Sequence, residues 1–231
     1  DDLMILHAAA STPDVMGLYP KKSDYDRLSR LETEYEDSFL VEPADSDDEF
    51  MFESFMSDFK VAVLLDDWIN EVSEEEITAS MGIGPGDIRS RVDMTDWLLY
   101  SMNEVAYIFK PEATKRIRPL LTRVRYGVKE ELLGLVSFRG VGRTRARVLY
   151  DSGICSRSDV ISADIGRLSG LPKIGPALAK SMKNQAGGNA WGFEAPHANE
   201  EDEYFLDRMA EGYDGKANQS YAGKQSSIND Y

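Results

Sequence analysis

The sequence predicts an all-α protein: a helical bundle, then a double helix-hairpin-helix domain, then a disordered acidic tail. Three observations predict it. One short phrase occurs twice between residues 138 and 186, apolar residues upstream recur at spacings of three and four, and charge divides the chain into three blocks. The phrase reads Phe138-Arg-Gly-Val141-Gly142-Arg-Thr-Arg-Ala146 and then Leu171-Pro-Lys-Ile174-Gly175-Pro-Ala-Leu-Ala179. In a helix-hairpin-helix the apolar pair ends one helix, the Gly sits in a tight turn needing an unhindered backbone, and the Ala lets a second helix pack closely. The register persists past the turn, with Arg147 matching Lys180 and Leu149 matching Met182.

Such a turn leaves backbone N–H groups unpaired at the start of the second helix, at the positive end of its dipole. A nucleic-acid phosphate fits there. The DNA-binding candidates are Arg139, Gly140, Gly142, Arg143, Arg145 and Arg147 in the first unit and Lys173, Gly175 and Lys180 in the second. Charge agrees with that placement. Residues 1–110 carry 26 acidic and 8 basic side chains, residues 111–186 carry 6 and 15, and residues 187–231 carry 9 and 3. A chain with net charge −15 is a poor polyanion binder as a whole, but a local excess of cations neutralises phosphates and releases counterions.

The upstream elements follow in order. Leu3-Met-Ile-Leu-His-Ala-Ala-Ala10 is helical in composition at once, with no cap before it, and Ser11-Thr-Pro-Asp14 stops it. So abrupt a start is expected of a piece of a longer protein. Residues 23–39 and 49–72 read as further helices, the second with Phe52, Phe55, Phe59, Val63 and Trp68 as a core stripe. Ser73-Glu-Glu-Glu76 forms a capping box for a short helix, which Met81-Gly-Ile-Gly-Pro-Gly-Asp87 breaks. Asp87 is placed to cap a long helix reaching about Phe109. On it, Arg89, Arg91 and Trp97 interrupt an acidic region and could stack on unpaired bases; equally, Trp97 could be core above Leu98, Met102 and Val105. The expected domains are residues 1–128, 129–186 and 187–231.

Several classes are excluded. No apolar run approaches the 18 residues of a membrane span, and no basic region precedes an apolar stretch at the N-terminus. A single cysteine, Cys155, allows neither an internal disulfide nor a multi-cysteine metal site, which suits a reducing, cytoplasmic compartment. His7 and His197 have no ligand-spaced partners, so no metal site is expected. Neither a catalytic triad nor a carboxylate pair stands out. No G-x-x-x-x-G-K-[ST] phosphate loop is present, and Asp47-Asp-Glu-Phe50 has no strand before it, so this chain is expected not to hydrolyse ATP by itself.

Taken in order, Leu3 to Asp14, Tyr35-Glu-Asp, Met81-Gly-Ile-Gly-Pro-Gly-Asp-Ile-Arg89, Asp96-Trp-Leu-Leu-Tyr100 and Phe138 to Tyr150 resemble a known family. It is the C-terminal part of archaeal superfamily-2 DNA-repair helicases of the Hel/Ski type, relatives of the helicase half of polymerase theta. The resemblance covers residues 1 to about 186. It implies a ratchet domain whose long helix touches the translocating 3′ strand, then a helix-hairpin-helix domain gripping the strand that leaves the motor. By the same resemblance Trp97 stacks on a base, Arg143, Arg145 and Arg147 line the exit path, and ATP and Mg belong to the parent helicase. The family's arginine two turns before the tryptophan is Ser90 here, flanked by Arg89 and Arg91.

The tail from Gly187 is rich in Gly, Asn, Ser and acidic residues and reads as disordered. Its end, Gln225-Ser-Ser-Ile228-Asn-Asp-Tyr231, resembles the peptide by which archaeal repair proteins dock on the replication sliding clamp, without that pattern's second aromatic; a merely solvated tail is the other reading. The expected function is therefore the DNA-binding part of a monomeric, nucleoid-associated 3′–5′ helicase acting on single-stranded or forked DNA at stalled or damaged forks. The alternatives are a free-standing helix-hairpin-helix module of a repair nuclease or recombinase and a helical scaffold with no DNA role.

Overall fold

Helix α3 (Glu49–Ile69) organises the N-terminal part because most of its second half is apolar on every side. A helix apolar all round must be covered all round. The computed structural model describes residues 1–43 and 48–187, and these residues form helices and short 3-10 turns, with no strand among them. Around α3 lie α1 (Asp2–Ala10), α2 (Tyr25–Glu34), α4 (Glu74–Met81), α5 (Pro85–Phe109) and α6 (Thr114–Tyr126). Their shared core includes Met4, Leu6, Met56, Phe59, Leu64, Leu65, Ile69, Ile88, Leu99 and Leu120, all at most 2% exposed.

The expectation of an uncapped first helix is corrected: the Asp1 carboxylate accepts from the Leu3 N–H at 3.1 Å. The expected helix over 23–39 is shorter, running from Tyr25 to Glu34 before a 3-10 turn at Glu36–Ser38. The expected stripe on α3 is core as predicted, with Phe55, Phe59, Val63 and Trp68 buried and Phe52 partly so. Ser73 and Glu76 close the predicted capping box, and α4 ends at Gly82, whose φ of 63° is the left-handed conformation that Gly adopts cheaply. Asp87 caps α5 as expected, but from the third position inside the helix, the N-cap residue itself being Gly84. Pro85 opens that helix, and Asp87 sits one turn in, its carboxylate accepting from the Gly84 N–H at 2.9 Å.

Two buried polar groups tie this bundle together. Lys60, 2% exposed, donates to the Asp24 carboxylate at 2.6 Å and to the carbonyls of Tyr19 and Met81 at 3.4 and 3.3 Å, which binds α3 to the segments on either side of it. Its charge is thereby fully paired. His7 is buried edge-on among Phe39, Phe55 and Phe59 at centroid distances of 5.3, 5.0 and 5.5 Å. Burial among these rings lowers its pKa to about 4.

α6 has no counterpart in the helices read from sequence, because Pro119 lies inside it and its apolar residues are few. Its last carbonyls lack intrahelical donors. The indole N–H of Trp68 supplies one, donating to the Val124 carbonyl at 2.7 Å, and Gly127 at φ 63° turns the chain away beneath the same ring. A Cβ at Gly127 would stand 2.5 Å from Trp68.

A second, separate core begins at Val128. It gathers Leu132, Leu135, Val136, Phe138, Val141, Ala146, Leu149, Ile154, Val160, Leu168, Ile174, Ala179 and Met182, with Tyr126 packed against it. Here α7 (Leu133–Val136) and α8 (Arg143–Asp151) make one hairpin, α10 (Ile165–Ser169) and α11 (Pro176–Gly187) the other, and α9 (Arg157–Ser162) joins them. A capping box between Ser156 and Asp159 starts α9.

Candidate nucleic-acid interface

The duplicated phrase adopts the same local structure twice. Val141 N–H donates to Phe138 O at 2.9 Å and Ile174 N–H to Leu171 O at 3.1 Å; Ala146 N–H donates to Gly142 O at 2.9 Å and Ala179 N–H to Gly175 O at 3.0 Å. Val141 and Ile174 are each 2% exposed, and Ala146 and Ala179 are fully buried. The apolar pair of the first unit does not end its helix: α7 stops at Val136, and Phe138 and Val141 enter the core from the turn.

Backbone freedom is needed elsewhere than the sequence pattern suggests. Gly142 is extended, with φ −94° and ψ −173°, a conformation open to any residue. The left-handed residues stand two positions earlier, at Gly140 with φ 86° and at the equivalent Lys173 with φ 63°. A Cβ on Gly142 or Gly175 would meet nothing within 4 Å. What glycine provides at these two positions is open space in front of the first N–H groups of α8 and α11. Gly142 makes no side-chain cap, so nothing of its own covers those donors.

The structure sorts the basic candidates into two sets. Arg139, Lys173 and Lys180 are exposed and their side chains make no hydrogen bond or ion pair among the described residues; the Arg139 backbone N–H donates to Gln185 Oε1 at 2.8 Å. The other three are engaged by groups of the protein itself. Arg143 is half-buried, lies over the Trp68 ring at 4.9 Å and donates to the Val72 carbonyl at 2.8 Å, and this burial lowers its pKa. Arg147 pairs with Glu71, with Glu131 at 3.0 Å and with Asp151 at 3.5 Å. Hydrogen bonding to Glu71 raises its pKa, and the same guanidinium lowers that of Glu131. Arg145 is exposed but doubly bonded, its Nε to Lys173 O at 2.9 Å and its Nη1 to Gly140 O at 2.7 Å.

On α5 the candidates also separate. Trp97 is 43% exposed while Leu98 and Leu99 beside it are buried. Arg89 shares its face of the helix, exposed and paired with Asp93 at 3.0 Å. Arg91 does not share that face: it is 6% exposed, its Nη1 3.3 Å from the Asp87 carboxylate and its Nη2 3.3 Å from Gly17 O. Its place one residue along from Ser90 turns it into the bundle. Sequence reasoning missed Tyr100, 51% exposed one turn beyond Trp97; its spacing of three from the tryptophan was a usable signal. It also missed Leu178, although that residue lies within the duplicated phrase, and Gln185, for which no local pattern exists.

No group of three or more His, Cys, Asp or Glu side chains is arranged to hold a metal among the described residues, and no helix there is long and apolar enough to cross a membrane. Gln225, Ile228 and Tyr231 of the clamp-like peptide, and the expected tail from residue 188 onward, lie outside the described residues, while Gly187 ends α11.

Comparison with known proteins divides the chain at the same place as its two cores. Residues 3–127 match the family model described as archaeal helicase, domain 4, and residues 130–187 match the SAM-like helix-hairpin-helix tandem. Similar curated proteins are each named ATP-dependent DNA helicase Hel308. That of Methanocella arvoryzae is 41% identical over 184 residues, 79% of this chain and 25% of the relative. Those of Thermoplasma acidophilum and Thermococcus kodakarensis are 40% and 34% identical over 127 and 185 residues, covering 55% and 79% of this chain and 19% and 16% of those proteins. The chain thus spans a quarter or less of the length of these relatives. It belongs to the archaeal helicase family through that domain 4, and carries behind it a helix-hairpin-helix tandem.

Proposed function

We propose that this chain is the DNA-handling C-terminal part of an ATP-dependent 3′–5′ DNA helicase that acts on single-stranded or forked DNA at stalled or damaged replication forks. The observation that carries the reading is the pair of equivalent turns, each with a glycine-bounded helix start that has open space before it and an exposed cation within three residues of the glycine. Phosphates of one strand would dock on the N–H groups that begin α8 and α11, with Arg139, Lys173 and Lys180 supplying charge. Trp97, with Arg89 about two turns before it on α5, would stack on a base of the strand crossing that helix. Every relative compared is named as ATP-dependent, so ATP and Mg would be held by a motor outside the shared region.

The helicase would act as a monomer on cytoplasmic, nucleoid-associated DNA. The Gln225 to Tyr231 peptide, on its sequence alone, is read as a docking segment for the sliding clamp. A free-standing binding module is the weaker reading, since the bundle that precedes the tandem matches a helicase domain. Titrating labelled single-stranded and forked DNA with the chain over a salt series tests the proposal. Log affinity should fall linearly with log salt, with a slope of magnitude about 2–3.5 for about 3–5 phosphates. A flat response overturns it.

A further inference from the structure

Each hairpin turn is gripped by a side chain that begins in the other hairpin or bridges to it. Positions 145 and 178 are equivalent in the duplicated phrase, each three residues after the turn glycine. Arg145, on α8, reaches across to the second turn and donates to Lys173 O at 2.9 Å while its other arm holds Gly140 O of its own turn at 2.7 Å. Leu178, on α11, reaches across to the first turn, where its Cδ1 lies 3.1 Å from the place a Cβ of Gly140 would occupy. Gly140 and Lys173 are themselves equivalent, and both are left-handed, at φ 86° and 63°.

We propose that Arg145 is a positioning residue that fixes the spacing between the two turns, so that the tandem takes two phosphates as one unit. The inference rests on the reading of the tandem as a DNA-binding site. A guanidinium is planar and presents its donors as a rigid fork, so bonds to two carbonyls fix the separation of those carbonyls. Those carbonyls belong to the turns that present the N–H groups of α8 and α11. Two weak grips at fixed spacing on one strand act as a bivalent ligand, in which the second contact is intramolecular once the first is made. With its Nε and Nη1 already bonded to the protein, Arg145 contributes through this frame.

Gly142→Val and Gly175→Val are suitable probes because neither site is strained and neither lacks room for a side chain. In the full chain binding a labelled forked DNA, either substitution should weaken affinity roughly tenfold or more, because either breaks the paired grip. The two together should then weaken it by less than the product of their separate effects. In an Arg145→Lys background, where charge is kept and the fork is lost, affinity should start about tenfold lower and the two glycine effects should multiply. Leu178→Ala, which changes no charge, should move the pair toward multiplication in the same way, and it carries the test if Arg145→Lys does not fold.

Parent-like affinity in Arg145→Lys would make Arg145 a simple charge contact and overturn the proposal. A lowered melting transition with the sub-multiplicative pattern intact would make it only structural, and would overturn the proposal as well. If the parent chain shows no salt-dependent DNA binding, the functional reading falls and this inference falls with it. Binding by the parent with wrongly behaving variants removes the inference alone.

Discussion

Trp97 keeps nearly half of its surface in contact with solvent, although a large aromatic ring gains most from burial. Its removal should therefore leave the fold almost untouched. Trp97→Ala is expected to melt within a few degrees of the parent while losing about 1–3 kcal/mol of single-strand affinity, against about 3–5 kcal/mol of stability for a core aromatic. Parallel thermal melts and DNA titrations decide between these outcomes. His7 shows the opposite situation, a polar ring deep in the bundle and held at a pKa of about 4 by burial. The folded state binds its proton less readily than the unfolded chain, so its contribution is complete above pH 6.5 and is lost as pH falls toward 4. His7→Phe should narrow the stability gap to the parent in its own favour over that window, by about 3 kcal/mol between pH 6.5 and 4. The comparison must be of parent against variant. Asp58, whose pKa burial raises to about 6, takes up a proton more readily when folded and shifts the parent curve the other way over the same range.

At the scale of the element, the two turns separate backbone strain from access. Gly140 combines a φ of 86° with a close Leu178 methyl, so Gly140→Ala should destabilise the tandem by about 1–3 kcal/mol. Gly142→Val should be close to neutral in stability and still weaken DNA binding. Chemical denaturation and DNA titration of the two variants, run together, check the contrast; equal destabilisation by both would contradict it. Lys173 at the position equivalent to Gly140 shows that the tandem tolerates a side chain in that conformation at a cost of about 1–2 kcal/mol, which the Arg145 bond to its carbonyl helps to offset.

At the scale of the whole molecule, the acidic bundle and the basic tandem meet through charges that the sequence alone would assign to DNA. Arg147 holds Glu71, which is itself in a left-handed conformation at φ 65°, and Arg143 covers Trp68. Glu71 is mostly buried, so removing its partner leaves a poorly solvated carboxylate beside Glu131. Arg147→Ala is expected to destabilise the described unit by about 1–3 kcal/mol in denaturant titrations. Glu71→Gly should be milder than Glu71→Ala, since glycine relieves the backbone strain that alanine keeps.

The sequence by itself determined the all-helical class, the tandem and its register, the core stripe of α3 and the capping box of α4. Each of these is written in neighbouring residues, as a spacing, a cap or a repeated phrase, and local stereochemistry reads such signals directly. It did not disclose α6, whose interior proline and sparse apolar residues hide it until Trp68 and the core close over it. The roles of the cations were decided only by tertiary structure. Arg139, Arg143, Arg145, Arg147 and Lys180 look alike in sequence, and three of them are turned toward carboxylates, carbonyls or a ring that lie from 4 to 76 residues away along the chain. A positive charge takes whichever partner the fold brings within reach, and that partner is set by packing of distant helices, which no local pattern records.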